Sequence, residues 1–119
     1  MIPPFEAVEA AYIFLARRHG FRGCLHASGV RNALALAQQL AEDERSEPAA
    51  LFYALSRYPK ALGGAWRSLP AVLASNHASR YGYRVRAARD ELLALYVPIA
   101  SSTMSFEDVR EWFAARMER

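Results

Sequence analysis

Three observations predict an all-α fold for this 119-residue chain, built as one compact bundle of about six helices. Apolar residues recur at helical spacing in successive blocks, and glycine or proline punctuates the blocks. Only Tyr83-Arg84-Val85-Arg86 alternates as a short extended segment does. With almost no strand there is no sheet to build on, so helix must pack on helix. The length suits a single domain over residues 1–119, long enough to bury its own core.

Each element can be justified in turn. Pro3 and Pro4 precede the first helix, where early N–H groups have no partner and proline is tolerated. Val8, Ala11, Tyr12, Leu15 and Ala16 form its stripe to about Arg18. Gly20 ends it, with His19 in the last turn, where a cation is favoured. Residues 21–28 read as a loop, with Ser28 capping a second helix on the stripe Val30, Ala33, Leu34, Ala37 and Leu40. The run Glu42-Asp43-Glu44-Arg45-Ser46-Glu47 ends that helix and is expected to be solvated. Pro48 opens a third helix in its first turn, with Leu51, Phe52, Leu55 and Tyr58 inward. After Gly63-Gly64 a fourth helix is expected from Trp66 to about Arg80, carrying Leu69, Val72, Leu73 and His77, with Pro70 in its first turn and Gly82 at its close. A fifth, through Leu92, Leu93, Leu95 and Tyr96, should stop at Pro98. The sixth starts at Ser105, which with Asp108 approximates a capping box, and turns Phe106, Val109, Phe113 and Met117 inward.

Fifteen Lys+Arg against twelve Asp+Glu give a net charge of +3. Lys60 is the sole lysine, so the positive charge is almost wholly arginine, whose planar fork suits phosphate and carboxylate. A GC-rich genome also produces that composition without any function. A charge of +3 is too small to argue nucleic-acid binding by itself. One cysteine, Cys24, excludes an internal disulfide. No apolar run is long enough to span a bilayer, and the first residues lack the pattern of a secretory signal. A cytoplasmic protein away from membranes is therefore expected. Cys24 and His26 lie two apart, but three histidines and one cysteine scattered like this make no metal constellation, so no metal or cofactor is expected.

Two stretches carry candidate binding chemistry. In Arg57 to Arg67 a proline-containing loop meets a glycine pair and then a helix start. Glycines allow close backbone approach, and a helix N-terminus offers free N–H groups. Tyr58, Lys60, Gly63, Gly64 and Arg67 thus form a candidate anion pocket, against the alternative of a plain helix connection. In the second stretch, Arg80, Arg84, Arg86 and Arg89 interleave with Tyr81 and Tyr83, a pattern that can neutralise phosphates and stack on unpaired bases. Its alternative is a solvated turn. Trp112 and Phe52, if exposed, would offer a homodimer face.

The order of landmarks resembles the Fic/Doc family, most closely its short death-on-curing toxins. Ala16-Arg17-Arg18-His19-Gly20 is similar to the end of that family's first helix, and Gly23-Cys24-Leu25-His26-Ala27-Ser28-Gly29-Val30 to the glycine-containing loop that follows. Ala54-Leu55-Ser56-Arg57-Tyr58-Pro59 resembles the approach to the signature H-P-F-x-[DE]-G-N-x-R, Leu69 to Tyr83 the helix after it, and Glu91 to Val109 the closing helix pair. The resemblance implies a helical toxin-type domain with an antitoxin or other protein partner, lying across a groove beside Tyr58 and Trp66.

At the signature itself the chemistry is replaced. Laid ungapped, Pro59 and Gly63 match, but Tyr58 stands at the histidine, Lys60 at the phenylalanine, Leu62 at the acidic residue and Gly64 at the asparagine. Trp66 takes the arginine's place, with Arg67 one residue late; a small insertion would bring Arg67 into register. In the family the histidine deprotonates a target hydroxyl and the acidic residue holds Mg²⁺. Tyrosine, with an ordinary pKa of about 10, is a poor base near neutral pH, and leucine cannot ligate a hard cation. The resemblance therefore implies a catalytically degenerate domain that binds a protein partner or an anion and transfers neither AMP nor phosphate. The competing reading is a small basic helical nucleic-acid-binding module.

Overall fold

Eight of the ten residues of one short helix, Glu47–Ser56, are buried, and the rest of the chain packs around it. The computed structural model describes residues 1–119 and contains six α-helices: α1 (Phe5–His19), α2 (Ala27–Leu40), α3 (Glu47–Ser56), α4 (Leu69–Arg80), α5 (Arg89–Ala100) and α6 (Phe106–Arg116). A 3₁₀ helix, Pro59–Ala65, joins α3 to α4. Two two-residue strands, β1 (Arg84–Val85) and β2 (Met117–Glu118), pair antiparallel with Val85 opposite Met117. The radius of gyration is 13.0 Å. A compact unit of this length should have about 13.5 Å, so the fold is an all-α compact bundle with a minimal sheet.

A helix apolar on every side must be covered on every side, and α3 is such a helix. Ala50, Leu51, Ala54 and Leu55 join Val8, Tyr12 and Leu15 of α1, Val30, Ala33, Leu34 and Ala37 of α2, and Leu62 of the 3₁₀ helix in one apolar cluster. Ala49 and Phe52 join Leu92, Leu95 and Ile99 of α5 and Val109 and Phe113 of α6 in a second. α4 serves both, giving Leu69 and Leu73 to the first and Ala74 and Ala78 to the second.

Most helix ends fall where the residues put them. Gly20 caps α1 in the left-handed region (φ +67°), with its N–H on the Ala16 carbonyl. Ser105 and Asp108 form the reciprocal box at α6, each bond 3.2 Å. Four expectations need correction. α2 starts at Ala27, one residue before Ser28, with His26 at the cap position and no side-chain cap. α4 starts at Leu69, because the glycine pair lies within the 3₁₀ helix and Trp66 to Ser68 turn between the two. α5 runs through Pro98 to Ala100, since the Ser101 N–H still reaches the Val97 carbonyl at 2.9 Å and only one helical bond is lost. Phe52 is 2% exposed against Phe113, so it cannot form an outward homodimer face, and Trp112 is half-buried beside Phe113 with Arg116 over its ring.

The polar run before α3 is also not wholly solvated. Ser46 is buried and ties the turn together, its hydroxyl accepting from the Glu42 and Asp43 N–H groups. Glu47 turns inward beneath α4.

Candidate functional site

The loop after α1 and the 3₁₀ segment after α3 pack directly on each other. The Gly64 N–H donates to the Arg22 carbonyl at 3.0 Å, the His26 N–H to the Ala61 carbonyl at 3.0 Å, and the Tyr12 hydroxyl to the Gly23 carbonyl at 2.7 Å. This contact explains the glycine pair. A Cβ on Gly64 would lie 2.8 Å from the Arg22 oxygen and 3.0 Å from the Phe21 Cβ. Gly63 has φ +57° and ψ −142°, and a Cβ there would lie 2.9 Å from the Tyr12 hydroxyl. The close approach that the glycines permit is to the 21–24 loop, and the Gly64 N–H is already engaged.

The five residues of the candidate anion pocket do not share one cavity. Tyr58 and Lys60 line a hollow of about 670 Å³ with His26, Ser28, Gly29, Arg57, Pro59, Ala61 and Ala100. Arg67 lines a different hollow, and its guanidinium lies 4.6 Å over the Trp66 ring. Trp66 in turn packs on Tyr96, ring centroids 4.8 Å apart. Burial pushes the Tyr96 hydroxyl pKa up, with nearby Arg67 working the other way. Leu62, opposite the family's acidic position, is fully buried in the first apolar cluster.

The hollow beside Tyr58 is organised by the start of α2. The N–H groups of Ala27, Ser28 and Gly29 have no backbone acceptor, no side chain caps them, and no acidic residue stands in that first turn. Such a terminus carries about half a positive charge. Lys60 and Arg57 stand beside it, and none of the nine lining residues is acidic. Arg57 is fixed from behind, donating to the Ile99 carbonyl at the end of α5 (3.2 Å) and to the Ser102 hydroxyl. Its planar fork has five N–H donors, so others remain free. The cap at His26 has no sequence signature, which is why the sequence placed the free N–H groups at α4 instead.

The arginine–tyrosine stretch is partly committed to the protein. Arg86 pairs with Glu118 at 3.5 Å, and Arg119 and Arg45 lie over the Tyr83 ring at 4.6 and 5.8 Å. The Tyr81 hydroxyl donates to Glu47 at 3.0 Å. Arg80, Arg84 and Arg89 are exposed and take part in no ion pair.

One polar cluster was not foreseen as a unit. His77, 3% exposed, places Nε2 2.7 Å from Glu47 Oε1, and the same oxygen receives the Tyr81 hydroxyl and the Met1 ammonium (2.6 Å). Burial opposes the Glu47 charge, but the hydrogen bonds from the ammonium, His77 and Tyr81 outweigh it and hold its pKa below the ordinary 4.5. The Tyr81 pKa is raised, by loss of solvent and then by its bond to Glu47. His77 Nδ1 has no partner. All three side chains tie the start of α3 to the end of α4, which makes the cluster a clasp between helices.

In comparison with known proteins, no protein-family model matches the chain and no curated protein matches its sequence.

Proposed function

We propose that the chain is a binding domain of Fic/Doc type that has lost group-transfer chemistry, and that it seats a phosphate or carboxylate in the hollow between the α2 N-terminus and residues 57–61. The observation that carries the anion reading is the lining itself: Arg57, Lys60, His26 and an uncapped helix start converge, and no carboxylate lies among them. Helix N–H groups and full positive charges favour the same ligand. The Fic/Doc part rests on the order of landmarks and on the packing of the 21–25 loop against the degenerate signature. In that reading Tyr58 replaces the base, and a carboxylate at the buried Leu62 position would have no solvent from which to take a metal. The anionic group would belong to a protein partner, such as an antitoxin encoded beside this chain.

Amide NMR titration with inorganic phosphate and with AMP tests the site. Saturable shifts at Ala27, Ser28, Gly29 and Lys60, weakened roughly fivefold or more in Lys60→Ala, are expected for loss of one charge contact of about 1 kcal/mol. Unmoved amides there would overturn the anion reading. Incubation with labelled ATP and cell lysate tests the rest: transfer of AMP or phosphate that disappears in Arg67→Ala would refute the loss of catalysis.

A further inference from the structure

A second hollow, of about 390 Å³, runs along one face of α4 between α1 and α5. Along α4 its lining follows helical spacing through Ser68, Ala71, Val72, Ser75 and Asn76, one face on which Ala71 and Val72 are the apolar members. Leu15 of α1 and Leu92 of α5 flank that face from the two different apolar clusters, so the hollow lies on the seam where the clusters meet. Leu93 adds a further half-buried apolar wall.

Six of the twelve lining residues are apolar, and the two fully charged ones, Arg67 and Arg89, are both cationic; neither has a carboxylate within ion-pair distance. His19 stands at the end of α1 beside them, and no acidic residue lines the hollow. Arg67 is held in place by its stacking on Trp66, which limits the ordering needed to meet a ligand. The volume lies in the range of small-ligand sites, and apolar walls with a few polar groups are their usual composition. The ligand that satisfies both the apolar walls and the two arginines has an apolar body and one acidic head.

We propose that this hollow binds a small amphipathic acid, with the carboxylate between Arg67 and Arg89 and the apolar body along Val72, Leu92 and Leu93. The site is separate from the hollow at the α2 N-terminus and does not depend on the reading given for it.

Decanoate is a suitable probe, with decanol and decyltrimethylammonium as matched neutral and cationic controls. In amide NMR titration of the full chain, decanoate should give saturable shifts in α4 and at the start of α5, and the two controls should bind roughly tenfold or more weakly. Arg67→Gln and Arg89→Gln should each weaken decanoate by about tenfold, since each removes a charge-assisted contact. Both arginines are exposed, so thermal melts of the variants should stay near wild type. Ser75→Phe, which fills the hollow and leaves both arginines in place, should block binding as well. Equal binding of decanol, shifts confined to the exposed Ile13 and Phe14 on the outer face of α1, or Gln variants that bind as wild type would each overturn the proposal. So would an acidic apolar peptide that saturates this face while decanoate does not.

Discussion

Replacing Gly64 by alanine separates two roles that a glycine pair can play, approach to a ligand and approach to the protein's own backbone. The added Cβ would lie 2.8 Å from the Arg22 carbonyl oxygen and 3.2 Å from the Arg22 nitrogen, both backbone atoms that no rotamer change can move. Overpacking of this kind costs about 1–3 kcal/mol. Pushing the loop away also lengthens the 3.0 Å bond from Gly64 to Arg22, adding about 0.5–1.5 kcal/mol. The sum is about 1.5–4.5 kcal/mol. With an unfolding entropy of about 0.25 kcal/mol/K for a chain of this length, the melting temperature should fall by roughly 6–18 °C. Gly82→Ala is the control: its φ is +80° but a Cβ there meets nothing within 4 Å, so only the conformational cost of about 1–2 kcal/mol applies. Differential scanning calorimetry of both variants gives the comparison, and phosphate titration of Gly64→Ala below its transition gives the second readout. A Gly64→Ala protein that melts with wild type yet no longer binds phosphate would refute the reasoning and restore the glycine pair to the ligand.

Glu47→Gln should lower stability by about 1–3 kcal/mol at neutral pH, because the oxygen that accepts from His77, Tyr81 and Met1 loses its charge; urea unfolding measures it. The folded pKa of Glu47 lies below its unfolded value, so its contribution is present above about pH 4.5 and is lost as pH falls through the lower folded value; the variant should therefore lose less stability than wild type on acidification through that window. Ser56→Ala should be neutral or stabilising by up to about 1 kcal/mol, since the Ser56 hydroxyl is buried without a partner; a loss above that in urea unfolding would show a bond the structure does not contain. Ser105→Ala should cost about 1 kcal/mol by removing the acceptor for the Asp108 N–H, read as a fall in melting temperature of about 4 °C.

The sequence disclosed the helices more readily than their hierarchy. Periodicity and punctuation placed six helices, because each apolar stripe and each stop residue acts locally: Gly20 and the Ser105–Asp108 pair need nothing beyond their own turns. Pro98 misled for the same reason, since the local rule counts the lost bond and cannot count the burial of Leu95 and Ile99 that carries α5 past it. Glu47 was hidden by its company. It ends a polar run, and only the arrival of His77, thirty residues later, turns it inward. Of the candidate anion pocket, Tyr58 and Lys60 were placed together but Arg67 was not, because the 3₁₀ helix inserts a turn that has no periodic signature. Phe52 reads as an ordinary member of an amphipathic stripe until α3 is found to be covered on every side.

That central position also bears on the segment that follows α3. α3 delivers the chain directly into Arg57, Tyr58 and the 3₁₀ helix, and the far end of that segment is held by the 21–24 loop. Packing at both ends holds the backbone of residues 58–64 in place. Leu62 faces the core and Gly64 faces Arg22, so those two positions answer to stability alone. Lys60 is exposed in the hollow, where substitution can alter binding and leave folding untouched, whereas Tyr58 lines the hollow and also packs on the first apolar cluster. On that division, Lys60→Ala should change affinity without changing the melting temperature, whereas Leu62→Asp should unfold the domain before it could hold a metal.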